Sequence, residues 1–205
     1  MSQTILLHNY IAPTAVEGPG IRIAIWMQGC HLKCVGCFNP ETWDEGGEQT
    51  SVNELFNRIK KDAEEYPNIE GVTFLGGEPF QQAKPLAELA KLVRGIGLSI
   101  LTFSGYTYEH LLTDKEDGWS DLLAVTDLLI DGPFVKNLED LSRPWVGSAN
   151  QKYRFLTDRY KYLKDSLFSI KNKLEVHLKK DGTVFINGIS TSTEIEQLKQ
   201  VFFKE

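Results

Sequence analysis

Apolar residues alternate along 21–27, where Ile21, Ile23 and Ile25 share one side, and this period of two predicts a strand. The turn chemistry of Val16, Glu17, Gly18, Pro19 and Gly20 precedes it. The period then lengthens. Val52, Leu55, Phe56 and Ile59 recur at helical spacing within 50–66, with Ser51 or Asn53 as N-cap and Pro67 as the stop. Continuous apolar runs at 71–75, 98–103 and 127–130 predict three more strands. Helical patterns fall between them at 85–94, 108–113 and 120–125.

Apolar strands alternating with helices imply βα units around a mostly parallel sheet. Polar and glycine-rich residues follow each strand: the loop after Met27, then Gly76 and Gly77, Ser104 and Gly105, and Asp131 and Gly132. Ligands of parallel α/β sheets and barrels bind at those carboxyl ends, so four chemically distinct segments are expected on one rim. After residue 156 the pattern changes, which divides the chain into 1–156 and an extension over 157–205. The charged stretch 159–165 reads as a linker. Runs at 174–178 and 183–187 flank Lys179, Lys180, Asp181 and Gly182 as a β-hairpin, and Thr191 with Glu194 forms a capping box before a last short helix carrying Ile195, Leu198 and Val201.

With 41% hydrophobic residues, 205 residues suffice for one ordinary core. A net charge of −6 gives no footprint for nucleic acid or an acidic membrane. The start lacks the basic and apolar parts of a signal peptide, and no run reaches membrane-span length. The expectation is a soluble cytoplasmic protein with reduced thiols.

Every cysteine lies in one loop, as Cys30, Cys34 and Cys37, spaced C-x3-C-x2-C. Three readings of that loop compete. A disulfide plus one free thiol does not fit a reducing compartment. A structural zinc site needs a fourth ligand; His31 adjoins Cys30, and His8, His110 and His177 are distant from the loop in sequence. An iron–sulfur cluster held by three thiolates keeps one iron open for a chelating partner.

C-x3-C-x2-C followed by the strand-terminal Gly76, Gly77, Glu78 and Pro79 resembles the radical S-adenosylmethionine superfamily. The resemblance implies an incomplete (βα) barrel, a 4Fe-4S cluster on Cys30, Cys34 and Cys37, and S-adenosylmethionine on the open iron, cleaved to a 5′-deoxyadenosyl radical. Within the superfamily, the segments Glu17 to Arg22, Gln28 to Cys30, Gly36 to Asn39 with Thr42 and Trp43, Asp131 to Val135 and Gly147 to Gln151 resemble the anaerobic ribonucleotide reductase activating proteins over about residues 8–155. Pyruvate formate-lyase activases share the Gly-Pro-Gly and cysteine parts, but not the segment from Gly147 to Gln151. Val146 stands where the ribonucleotide reductase activating proteins usually have arginine, and the extension after 156 lies beyond the resemblance.

The resemblance implies that Gly36 and Phe38 flank the adenine beside Cys37, and that Gly76, Gly77, Glu78 and Pro79 meet the methionine ammonium. Ser104 and Asp131, at strand ends on the same rim, are further cofactor contacts, with capping or turn roles as the alternative. Asn150 and Gln151 bind substrate polypeptide or close a loop, and Lys33 and Arg22 offset the anionic cluster or are surface charges. The implied function is hydrogen abstraction from a glycine of a glycyl-radical enzyme, an anaerobic ribonucleotide reductase, with an electron donor such as flavodoxin or ferredoxin. The alternatives are a radical enzyme acting on another protein or peptide, and a non-enzymatic metal-binding or electron-transfer module. Deletion of 157–205 is expected to spare cluster assembly.

Overall fold

Alternation along the strands decides which face each side chain takes, and the computed structural model places one core on either side of a single main sheet. It describes residues 3–44, 46–114, 116–178, 182 and 184–202. The first strands are β1 (Thr4–Thr14), β2 (Ile21–Met27) and β3 (Glu48–Ser51), followed by α1 (Val52–Glu65). Then come β4 (Ile69–Gly76), α2 (Ala83–Gly95), β5 (Ser99–Ser104), α3 (Tyr108–Thr113), α4 (Trp119–Val125), β6 (Leu128–Asp131) and β7 (Lys152–Phe155). The extension carries β8 (Leu174–Leu178), β9 (Val184–Gly188) and α5 (Ser192–Phe202).

Among the described residues the sheet has seven strands in the order β3-β1-β2-β4-β5-β6-β7. The central four, β2, β4, β5 and β6, are parallel, while β1, β3 and β7 pair antiparallel at the flanks. The fold is therefore mixed α/β with a mostly parallel centre, as the alternation predicts. β3 and β7 end the order and do not pair with each other. Ile23, Ile25 and Met27 of β2, with Val72 and Phe74 of β4, pack against α1, α2 and α4. The other face carries Ala24, Trp26 and Leu75 near the rim and Leu101, Leu128 and Ile130 beside them.

β1, β3 and β7 have no counterpart in the sequence reading. β1 slips register at two bulges and carries His8 and Asn9 mid-strand, which hides its period. The other two are four-residue edge strands, too short to show one. Ser51, not Asn53, caps α1: its hydroxyl accepts from Glu54 N at 3.2 Å and Glu54 Oε2 accepts from Ser51 N at 2.9 Å, an arrangement worth about 1 kcal/mol. Thr191 and Glu194 exchange the matching pair of bonds ahead of α5. In the hairpin, Leu174 pairs with Gly188 and Leu178 with Val184, while Lys179, Lys180, Asp181 and Thr183 lie outside the described residues.

Two expectations are corrected. The charged stretch after 156 is not a linker: Asp158–Leu163 is a 3-10 turn that buries Tyr160 and Leu163, three residues apart, in the second core with Leu167. Val146 is fully buried in the same cluster, where an arginine in its place would have to be desolvated. Arg22 is likewise remote from the cysteines. It is fully buried at the start of β2, donating to Thr73 Oγ1 (2.7 Å), Tyr160 Oη (2.7 Å), Ser99 Oγ (3.1 Å), Val72 O (2.8 Å) and Pro19 O (3.2 Å). Burial pushes its pKa down, and the Tyr160 hydroxyl opposes that shift.

Candidate active site

β2 delivers the chain to the rim, and Gln28 holds the cysteine loop there from within. Its Nε2 donates to Glu41 O at 3.1 Å and Asp44 O at 2.7 Å, and its Oε1 lies 2.9 Å from His8 Nδ1. Gly29 N and Cys30 N donate to Thr42 O and Trp43 O, so the loop closes on the residues that follow it. All three cysteines are unbridged and half-buried.

Backbone amides point at the sulfurs. Leu32 and Lys33 N–H groups reach Cys30, Phe134 N–H reaches Cys34, and Asn39 N lies 3.4 Å from Cys37 Sγ. Burial pushes the Cys30 and Cys34 thiols up, and those amides oppose it. Among the described residues no three His, Cys, Asp or Glu side chains close on one point as the ligands of a single ion do. The thiols instead line a shared cavity. Three thiols spread over one wall, Cys37 with an amide 3.4 Å from its sulfur, are a donor set that fits an iron–sulfur cluster, a wider body than one ion.

The cavity has a volume of about 570 Å³, the size of a pocket for one drug-sized ligand. Gly76, Gly77 and Glu78 form the adjoining wall, at the end of β4. Gly77 N donates to Met27 O and Glu78 N to Gly29 O, each at 2.9 Å, which ties this wall to the cysteine loop. The approach is too close for a side chain. A Cβ on Gly77 would stand 2.3 Å from Gly29 O, and one on Gly76, at φ +96°, would stand 2.7 Å from Trp26 Cβ.

Glu78 is buried, with its carboxylate fully engaged: Oε1 accepts from Phe80 N (2.9 Å) and Ser104 Oγ (3.0 Å), and Oε2 from Gly105 N (2.7 Å). Burial lifts its pKa to about 7 against the pull of those donors. It thereby joins the ends of β4 and β5 beneath the cavity, and Ser104 lines the same space.

Of the residues expected at the site, Cys30, Cys34, Cys37, Phe38, Gly76, Gly77, Glu78 and Ser104 line this one cavity. Gly36, Pro79 and Asp131 are not brought to it. Gly36, at φ +79°, turns the loop beside Lys136 and Phe134. Pro79 is buried at the start of a 3-10 turn. Asp131 is committed to Arg154 Nε at 2.8 Å and Tyr108 N at 2.8 Å.

Phe38 is half exposed and meets Phe134 edge-on at 5.1 Å between centroids. Gly147 makes room for it, since a Cβ there would stand 2.6 Å from the Phe38 ring. Gln151 and Asn150 bond backbone: Gln151 Oε1 accepts from Gly147 N and Ser148 N, and Asn150 Nδ2 donates to Pro133 O. They close the loop that carries Phe134 to the rim. Lys33 stands 3.9 Å from Asp44 at the surface.

Sequence reasoning missed part of the lining: Trp26, Trp43, Phe103, Phe134 and Trp145, and from the hairpin Phe185, Asn187 and Gly188. Period-two alternation of β2 and β5 could have found Trp26 and Phe103, which share the face of Ala24 and Leu75. The hairpin residues carry no local signal of the cavity they border.

Residues 16–154 match the family described as a 4Fe-4S single cluster domain. The anaerobic ribonucleoside-triphosphate reductase-activating protein of Vibrio cholerae is 31% identical over 150 residues, covering 70% of this chain and 94% of that one. The protein of that description from Enterobacteria phage T4 is 32% identical over 151 residues, covering 70% of this chain and 89% of its own length. The pyruvate formate-lyase-activating enzyme of Clostridium pasteurianum is 32% identical over 138 residues, covering 65% of this chain and 53% of that enzyme.

Proposed function

The chain belongs to the 4Fe-4S single cluster family and, within it, to the activating proteins of anaerobic ribonucleoside-triphosphate reductase, and from that premise we propose that it binds a 4Fe-4S cluster and S-adenosylmethionine and abstracts a hydrogen atom from a glycine of such a reductase. Bound together, these groups supply a carbon-centred radical. The chain's own residues bind and shield. Cys30, Cys34 and Cys37 would hold the cluster, Gly76 and Gly77 let backbone approach the methionine end, and Phe38 offers a ring face to the adenine. Glu78 acts as a positioning residue, since its carboxylate fixes Phe80, Ser104 and Gly105. Trp26, Leu75, Phe103 and Trp145 keep water from the reacting centre.

One observation carries this reading: all three cysteines of the chain line the same cavity as Gly76, Gly77 and Glu78. The open order of the sheet supports reading it as a partial barrel whose unpaired side admits the partner. The reducing electron would come from a flavodoxin or ferredoxin. Among the described residues no helix is long and apolar enough to cross a membrane, in keeping with a cytoplasmic setting.

Anaerobic reconstitution tests the reading. About four irons per chain are expected, with reductive cleavage of S-adenosylmethionine and a glycyl radical on the reductase by spin resonance. Changing Cys30, Cys34 or Cys37 to Ser should abolish iron uptake while the far-ultraviolet dichroism stays native. One zinc and a colourless protein would sink the proposal and favour a non-enzymatic metal module. A radical on some other protein or peptide, with none on the reductase, would move the target and keep the chemistry.

A further inference from the structure

Among the described residues the hairpin of β8 and β9 pairs with itself alone and adds no strand to the main sheet. It nevertheless walls the cavity that the cysteines line. Near the rim, the Phe185 ring meets Trp26 edge-on at 6.0 Å. Near the strand starts, Gly188 N donates to Glu17 Oε1 at 2.9 Å, and Asn187 Nδ2 donates to Glu17 Oε1 at 3.4 Å and Thr14 Oγ1 at 3.1 Å. Glu175 accepts from Ala15 N at 2.8 Å and from the Thr14 hydroxyl at 2.6 Å. The hairpin thus lies along the face opposite the helices, from Trp26 at one end to Glu17 at the other.

A cavity of about 570 Å³ suits one drug-sized ligand and leaves no room for a polypeptide segment beside it. For a segment of another protein to lie along the face from Trp26 to Glu17, the hairpin that covers that face has to move. The main sheet is continuously hydrogen-bonded and the cysteine loop is tied to it at Gly77 and Glu78. The hairpin is different: a two-stranded ribbon is marginal by itself, and this one lies outside the matched family region 16–154.

We propose that the β8–β9 hairpin is a gate over the reaction cavity, and that the surface beneath it, Trp26, Leu75, Phe103 and Glu17, is the docking surface for an extended segment of the partner polypeptide. The hairpin shows what the surface takes: an apolar ring against Trp26 at one end and a backbone N–H toward the Glu17 carboxyl at the other. The partner segment replaces those contacts as the hairpin swings away. Because gate and segment compete, the closed hairpin lowers the apparent affinity for the partner by the fraction of time it is open.

This inference rests on the activase reading, and hydrogen exchange on the full reconstituted chain separates the two. On adding an anaerobic ribonucleotide reductase, amides of 174–178 and 184–188 are expected to exchange roughly tenfold faster, while those of 21–27, paired on both sides, stay as they were. The double variant Phe185→Ala, Asn187→Ala should bind the reductase roughly tenfold more tightly, with iron content and exchange in 21–27 as in the unaltered chain. Reductase binding that leaves the hairpin amides unchanged or slower, or a double variant that binds no better, overturns the gate and leaves the activase standing. A loaded, unaltered chain that puts no radical on the reductase removes the reading itself, and the gate with it.

Discussion

Gly77 has no side chain because the carbonyl of Gly29 is already where a Cβ would go. Gly77→Ala must therefore push the end of β4 away from the cysteine loop. About 1–3 kcal/mol of stability should be lost, and, since the displaced contact adjoins Cys30, iron content should fall more than the melting temperature suggests. Reconstituted iron per chain beside a thermal melt checks this. Glu17 makes a second prediction. Burial is the main cause of its rise from the ordinary 4.5 to about 7, opposed by Gly188 N–H and Asn187, with Glu175 nearby adding to the rise. A raised folded pKa means the neutral carboxyl suits the fold: its contribution is complete below the unfolded value and is lost as pH climbs through the folded one. Hairpin anchoring should weaken between about pH 5 and pH 8. Fluorescence of Trp26, under Phe185, reports it, and Glu17→Gln should flatten the response. A pH dependence unchanged in that variant would assign it to another group.

The extension behaves as two elements. The 3-10 turn at Asp158–Leu163 belongs to the second core, and Tyr160 supplies an acceptor to the buried Arg22. Because that turn is core, truncation after residue 156 should leave the chain aggregated and without iron, which reverses the expectation that losing 157–205 spares cluster assembly. Truncation after residue 173 keeps Asn172, which binds Trp145 N, Leu141 O and Arg143 O, and should load iron normally. Equal iron in both truncations would show that the turn is dispensable. The stretch 159–165 looks like a linker in sequence because charged residues surround Tyr160 and Leu163, and two buried positions three apart are too brief a period to stand out. Elements of a full helix or central strand were legible, as at Ile21–Met27, where alternation runs through seven residues. β3 and β7 were not, because four-residue edges owe their shape to the neighbours they pair with. At the site, chemistry-bearing residues such as Cys30 and Glu78 announced themselves by type and spacing, whereas Phe185 and Trp145 reach the cavity only through contacts distant in sequence.

At the scale of the molecule, Arg22 joins what the strands alone would leave separate. Its guanidinium bonds β4 at Thr73 and Val72, β5 at Ser99, the turn before β2 at Pro19 and the extension at Tyr160. Arg22→Ala should cost about 3–5 kcal/mol, since it opens a void and strands several buried acceptors at once. Urea unfolding of the apo chain measures it. A loss below about 1 kcal/mol would mean that water satisfies those acceptors instead.

The cavity draws its walls from both ends of the chain, the cysteine loop at 30–37 and the hairpin at 174–188, and a chain is made in one direction. The thiols, the glycine wall and the sheet that carries them leave the ribosome before the hairpin does. At about 5–20 residues per second, the nascent protein passes through an interval in which its site is built but not yet covered. Iron and sulfide delivered then meet a cleft without its hairpin wall, and those delivered to the finished chain meet one with the hairpin across it. Nascent chains stalled with residue 173 followed by a spacer that clears the exit tunnel are thus expected to accept a cluster from a carrier protein faster than released full-length protein does; equal rates would mean that the covering imposes no order on maturation.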